Sequence, residues 1–276
     1  MLKENKPKII LASASPRRRE LLEMLGVKFT VLKPSPGAEP PCSHSGCGLA
    51  ELRENTQGDS LGTENSMYAE YSVFLGKEKK ATEFPSEVRS ILNRVGPYAN
   101  LSLRLHEACE AEALAEVIQN VQNSAFAKAK SSASQVSLEP NEKALVIGAD
   151  TVVVCGKAVL GKPSSKAEAK EMLSGLAGRW HHVVTGVAIQ ALPDGEFVKS
   201  CAVTAVKFRA SLEQEIEVYT ETGHPLDKAG AYGIQELGSL LVEKIDGCYF
   251  NVVGLPLTVL NALSADFGFN LFSLRD

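Results

Sequence analysis

Residues 144–155, ALVIGADTVVVC, constrain the fold more than any other stretch. A run so uniformly apolar and β-branched is covered on both faces, which places it as a central strand of a sheet flanked by helices. Asp150 interrupts it. A carboxylate in that setting is not idle core, because burying an unpaired charge is costly. It calls for a strand end, a bulge, a metal or a cationic partner, and its position two residues after Gly148 favours a functional site over simple pairing with a lysine.

The second constraint is KIILASASPRRRELLEMLG, residues 8–26. It reads as a buried strand, a short turn and a helix, with Ser15 as N-cap, Pro16 at the first helical position and Gly26 just past the end. Arg17, Arg18 and Arg19 then fall in the first turn, where the helix dipole already presents its positive end. Cations added to a helix N-terminus break a local rule in the way an anion-binding site does; a solvated basic patch is the plain alternative.

The rest of the pattern is α/β. Residues 8–33 read as strand, helix, strand. From about 40 to 97 the chain is polar and rich in breakers, which reads as an insertion, mobile or loosely packed, inside a single domain spanning 1–276. Ile91, Leu92 and Val95 have helical spacing but too little core for a separate subdomain. Apolar residues from Leu101 and Leu105 through Val121, Ala125 and Ala129 predict one long helix or two shorter ones ending near Ser131. After the central strand, GKAVLGKP reads as a hairpin and exit, and 165–176 as a helix capped near Ser165. Residues 181–192 and 196–210 read as an antiparallel pair turned at Pro193-Asp194-Gly195. A helix capped by Ser211, a glycine-rich segment, a strand in SLLVEKIDG and a last helix from about Leu255 to Phe267 complete the chain. The expectation is a mixed, twisted sheet flanked by helices.

Composition narrows the function. The chain has 276 residues, with 29 Lys and Arg against 33 Asp and Glu, for a net charge of −4. That excludes a general binder of nucleic acid or of anionic membrane surfaces, so any anion site must be local. No apolar run approaches membrane-spanning length, and the apolar run near the N-terminus is too short for a signal peptide. Scattered cysteines without a regular framework fit reduced thiols and a cytoplasmic location.

Several motifs carry candidate chemistry. Lys162, in GKP, is a cation on a stiff turn. The spacing from Gly156 to Lys162 imitates a P-loop, but Pro163 stands where Ser or Thr must hold Mg²⁺, and that reading is rejected. In DKAGAYGIQ, Asp227, Lys228, Gly230, Gly233 and Gln235 permit close backbone approach to a ligand, and the Gln235 amide can read a base edge. Of His181 and His182, consecutive in a strand, one is expected to point inward and one outward, with a structural hydrogen bond the better expectation. Cys42, His44, Cys47, His106 and Cys109 have irregular spacing for a zinc site. The chain lacks G-x-S-x-G, H-E-x-x-H and a post-strand G-x-G-x-x-G, which argues against esterases, zincins and nicotinamide enzymes.

Taken in order, LASASPRRRELLEMLG, GADTVV, GKP, DKAGAYGIQ and NVVGLPL resemble the Maf family of nucleoside triphosphate pyrophosphatases, over about 8–39 and 110–268. The resemblance implies an elongated α/β fold with a cleft between two lobes, frequently dimeric. It implies cleavage between the α and β phosphates of noncanonical or excess nucleotides, with Mg²⁺ or Mn²⁺. Carried over residue by residue, Arg17 and Arg18 are implied phosphate contacts, and Lys128, from AFAKAK, and Lys162 are implied phosphate lysines. Gln235 is the implied base reader, Asp150 the implied base or metal-linked carboxylate, and Glu39 a second implied metal carboxylate. AGAYGIQ resembles the branch acting on dTTP and UTP. Two positions depart from the pattern: Glu236, where many relatives have glycine, and Ala205, in place of a common acid. A non-catalytic nucleotide-binding regulator of cell division, and an interaction protein working through 40–97, are the other readings.

Overall fold

The computed structural model describes residues 6–38, 49, 52, 69–74, 84–96, 98–105, 108–210 and 212–275. Among them, nine strands form one mixed sheet, with order β2-β1-β5-β7-β8-β4-β3 and with β6 added to β5 and β9 to β8. The strands are β1 (Lys8–Ala12), β2 (Phe29–Val31), β3 (Ala69–Phe74), β4 (Asn100–Leu105), β5 (Ala144–Cys155), β6 (Ala158–Leu160), β7 (Trp180–Leu192), β8 (Phe197–Phe208) and β9 (Val242–Asp246). β1 runs parallel to β2 and β5, and β4 parallel to β8; the remaining pairs are antiparallel. The mixed sheet flanked by helices is the one the sequence predicts.

The helices are α1 (Pro16–Met24), α2 (Ser86–Leu92), α3 (Ala108–Ala133), α4 (Lys166–Leu176), α5 (Glu213–Glu221), α6 (Tyr249–Val253) and α7 (Leu257–Ala265). They divide between the two faces of the sheet. On β5, Leu145, Ile147, Ala149 and Val153 pack with residues of α1, α4, α5 and α7, while Val152 and Val154 pack with α2, α3 and β4. β5 is therefore covered on both sides, as its composition requires.

Helix α3 lies very close to the sheet because both surfaces are made of small residues. A Cβ added at Gly148 would sit 2.0 Å from the Ala125 carbonyl oxygen, and one at Gly186 would sit 2.4 Å from the Val121 carbonyl. Val121, Ala125 and Ala129 recur every four residues and form the helix side of this seam. Gly186 is directly across from Asp150 in the β5–β7 register. Gly148 thus makes room for a helix rather than for a ligand.

The structure departs from the sequence reading in specific places. Leu101 and Leu105 belong to β4, not to a helix, and α3 opens at Ala108. A separation of four fits one helical turn and also two strand pleats; Leu103, between them and buried, decides for the strand. Within 40–97, several of the described residues are buried. Val88, Ile91, Leu92 and Val95 are buried in one cluster with α3 and β4, β3 pairs with β4 along its whole length, and Leu52 is buried with its Cδ2 where a Cβ on Gly175 would fall. The apolar stripe of α2 is too small to make a core by itself and takes it from α3. The last helix is split at Gly254 (φ +120°) into α6 and α7. Residues Glu236–Leu241 form 3₁₀ turns, so the strand begins only at Val242. Helix α5 opens at Glu213, and Ser211, its expected cap, lies outside the described residues.

Candidate active site

The site grows from a break in strand pairing. On one edge, β5 is bordered by β1 as far as Gly148 and by β6 from Val153 onward. Between these ladders, residues 149–152 have no strand beside them on that edge among the described residues. Buried backbone oxygens need partners, and a side chain supplies one. Arg18 Nη1 donates to the Ala149 carbonyl oxygen at 2.9 Å and Nη2 to Thr151 Oγ1 at 2.9 Å. Its Nε donates to the Gly254 carbonyl at 2.7 Å, and Nη1 also reaches Ser13 Oγ at 3.3 Å. Arg18 is buried. It ties the start of α1 to β5 and to the turn after α6. Ser15 holds the N-cap position without a side-chain cap bond; its own N–H donates to Ser13 Oγ at 3.2 Å.

Asp150 lies on the opposite face of β5, under α3. Lys128 Nζ donates to Asp150 Oδ1 at 2.7 Å, with 11% and 18% of the two side chains exposed. The seam of small residues sets this distance, because it fixes how near α3 comes to β5. Asp150 thus has the lysine partner that the sequence left open as the structural alternative.

Two walls rise around this floor. One is the loop after β2. Leu32 N–H donates to the Leu11 carbonyl at 3.1 Å. Ser132 Oγ donates to the Leu32 carbonyl at 3.0 Å, Gln135 Nε2 to the Lys33 carbonyl at 3.2 Å, and Ser35 N–H to Ser131 Oγ at 2.9 Å. The other wall is the glycine-rich segment. Gly230, at φ +65°, donates its N–H to the Gly161 carbonyl at 2.9 Å and abuts Val153, which docks this segment on the GKP turn. Gly233 N–H donates to Tyr219 Oη at 3.2 Å. Arg17 Nη1 donates to Asp227 Oδ2 at 3.1 Å, and Lys228 Nζ to Asp227 Oδ1 at 2.5 Å. Burial works to raise the Asp227 pKa, but Lys228 and Arg17 outweigh it and hold the carboxyl below its usual range.

The cleft so enclosed has a volume of about 660 Å³ and is lined by Arg17, Arg18, Lys33, Lys128, Lys162 and Lys228 against Asp150 and Asp227. Among the described residues, six cations facing two carboxylates, in a chain of net charge −4, make a strong local field for an anion. Gln235, half-buried, lines the same cleft. The sequence-predicted Arg17, Arg18, Lys128, Asp150, Lys162 and Gln235 therefore converge on one site. Glu39 lies outside the described residues, as do Cys42, His44, Cys47 and His106 of the considered zinc set.

The histidines differ from expectation: both are buried, because β7 is interior and covered on both faces. His181 Nε2 meets Tyr232 Oη at 2.8 Å, and His182 Nε2 accepts the Arg104 N–H at 3.0 Å. Burial, with His182 adding to it, pushes His181 down to about 3; burial, with Arg104 adding to it, pushes His182 down to about 4. Burial raises the Tyr232 phenol, so Tyr232 is the donor to His181. Sequence reasoning missed Thr151 and Lys33. Thr151 could have been found as the polar residue following Asp150 in the apolar run; Lys33 carries no signal.

A divalent ion suits this donor set in one mode only. Mg²⁺ commonly takes one or two carboxylates and completes its shell with water and substrate phosphate. Asp150 is an oxygen donor of that kind. Among the described residues no group of three or more His, Cys, Asp or Glu could hold an ion without substrate. Among the described residues, no helix is long and apolar enough to cross a membrane.

Comparison with known proteins agrees with the motifs. A family model described as Maf-like protein matches residues 86–267, taking in α2 and β4. A curated relative from Moorella thermoacetica is 38% identical, spanning 96% of this chain and 97% of its own, and one from Clostridioides difficile is 36% identical with the same coverage. A third, from Acetivibrio thermocellus, is 49% identical over 54% of this chain and 74% of its own. All three are named dTTP/UTP pyrophosphatase. With the family model matching more than half of the chain and relatives aligned nearly end to end, this chain belongs to the Maf-like family.

Proposed function

We propose that the protein hydrolyses dTTP and UTP between the α and β phosphates, giving a nucleoside monophosphate and pyrophosphate. The observation that carries this reading is Asp150, paired with Lys128 at the open edge of β5 in a cleft lined by six cations. The names of the relatives aligned nearly end to end support it.

The chemistry needs an oriented water, a base for its proton and neutralisation of the triphosphate. Asp150 accepts the proton of the attacking water as the water oxygen bonds to the α phosphorus. The bond from that phosphorus to the bridging oxygen breaks, and the electron pair leaves with pyrophosphate. Lys128 fixes the Asp150 carboxylate and adds positive charge beside it. Arg17, Lys162 and Lys228 neutralise the phosphates, and Arg18 holds the start of α1 so that Arg17 faces them. Gln235 hydrogen-bonds the pyrimidine edge. Asp150 and Glu39 are the carboxylates that would hold Mg²⁺ or Mn²⁺, which would supply further charge neutralisation when bound. A cytoplasmic location, as the scattered cysteines suggest, and a homodimer, as the family resemblance implies, complete the proposal.

The test is pyrophosphate release across a panel of canonical and modified nucleoside triphosphates with Mg²⁺ or Mn²⁺, alongside Asp150→Asn. Preferred turnover of dTTP and UTP, lost in the variant, is expected. Preference for a purine nucleotide would refute the role of Gln235. Nucleotide binding without release from any substrate would refute the enzyme in favour of a regulator.

A further inference from the structure

Asp227 is an acid in a cleft whose proposed ligand is an anion, an arrangement that costs affinity unless the carboxylate does something else there. Its two oxygens take two different cations. Oδ2 receives Arg17 Nη1 at 3.1 Å and Oδ1 receives Lys228 Nζ at 2.5 Å. Its backbone oxygen also accepts from Arg17 Nη2 at 3.3 Å, and Lys228 Nζ donates to the His224 carbonyl at 2.5 Å. Arg17 comes from the first turn of α1 and Asp227 from the opposite wall, 210 residues away in sequence. The two cationic side chains are mostly covered, at 20% and 14% exposed, while the acid itself is 55% exposed.

An arginine has five N–H donors and a lysine three. Two of each are committed here, so donors on both remain for a ligand. Long, flexible cationic side chains lose rotamer freedom when a ligand captures them, and holding them beforehand removes that cost from binding. A pair this exposed is a weak stabiliser of a fold, which leaves preorganisation as its use. We infer that Asp227 is a positioning residue, which holds Arg17 and Lys228 across the cleft in readiness for the phosphates of a nucleoside triphosphate. The inference rests on the reading that Arg17 binds phosphate.

The experiment measures the Kd of pyrophosphate and of a non-hydrolysable α,β-methylene pyrimidine triphosphate by calorimetry. Wild type, Asp227→Asn, Asp227→Ala, Arg17→Ala and the Asp227→Ala/Arg17→Ala double variant are compared, with KM and kcat for dTTP measured in parallel. Asp227→Ala is expected to weaken both probes by about 3- to 10-fold and to raise KM more than it lowers kcat. Asp227→Asn, which keeps an oxygen acceptor, should lose less. In the Arg17→Ala background the Asp227→Ala change should cost less than it does in wild type, because only Lys228 is left to position. Independent, multiplying effects would overturn the inference, as would tighter pyrophosphate binding by Asp227→Asn, which would make the acid a repulsive brake. Wild type that binds both probes but releases no pyrophosphate would refute the hydrolase while the Kd series still decides the role of Asp227. Wild type that binds neither probe would refute both.

Discussion

Acidification from about pH 7.5 to pH 5 should destabilise the protein through two buried histidines. His181 and His182 are 1% and 8% exposed, with folded pKa values near 3 and 4. In the unfolded chain each has a pKa of about 6.5. Depressed folded values mean that the unfolded state binds more protons, so stability falls as pH drops through about 6.5. At pH 5 each histidine contributes about 1.5 units times 1.36 kcal/mol, or about 2 kcal/mol, and the two together about 4 kcal/mol. This sum does not depend on the folded values as long as both stay well below 5. Geometry supports that. His182 Nε2 accepts the Arg104 N–H, so an imidazolium would set one N–H against another. Glu142, Glu221 and Asp227, whose folded pKa values are lowered by their cationic partners, lose stability only as pH falls below their ordinary carboxylate values of about 4. The window from pH 6.5 to 5 therefore reports on the histidines. Urea unfolding at stepped pH should give a slope that rises from about one proton at pH 6.5 toward two protons, about 2.7 kcal/mol per pH unit, near pH 5. A flat midpoint across that window, or an NMR titration of either imidazole near 6.5 in the folded protein, would refute the reasoning.

Three other perturbations test separate parts of the structure. Arg18→Lys keeps the charge but cannot serve four acceptors in a planar array, and should cost about 2–4 kcal/mol in chemical denaturation. Glu236→Gly should stabilise by about 1 kcal/mol, raising Tm by about 2 °C, because Glu236 sits at φ +56°. Gly148→Ala should destabilise by about 3 kcal/mol and reduce pyrophosphate release, since the new Cβ would lie 2.0 Å from the Ala125 oxygen.

What was legible in the sequence follows from period and composition. β5 and the β7–β8 hairpin announce themselves by β-branched runs around a turn, and α4 by Ser165, whose Oγ accepts the Glu168 N–H at 3.2 Å. The clustering of Arg17, Lys128, Asp150, Lys162 and Gln235 followed from motif order. Distinctions that depend on direction were not legible. Arg17 and Arg18 are adjacent and identical, yet one faces an acid across the cleft and the other is buried among carbonyls; only the turn of α1 separates them. The spacing of Leu101 and Leu105 satisfied two periods at once. Helix α2 showed its stripe, but its burial depends on β4 and α3, which sequence distance hides. Glu236 departs from a glycine pattern, and the left-handed backbone there explains why glycine suits the position.

The seat of α3 on Gly148 and Gly186 gives the protein a mechanical gauge. Lys128 and Asp150 belong to different layers, so the gap between them reads out the thickness of the joint beneath. A methyl group inserted anywhere along that joint would lift the helix and part the pair without touching either side chain. The acid–cation spacing is thereby inherited from the core and is insulated from changes in the loops that form the cleft walls. Those loops can change shape while the pair keeps its separation.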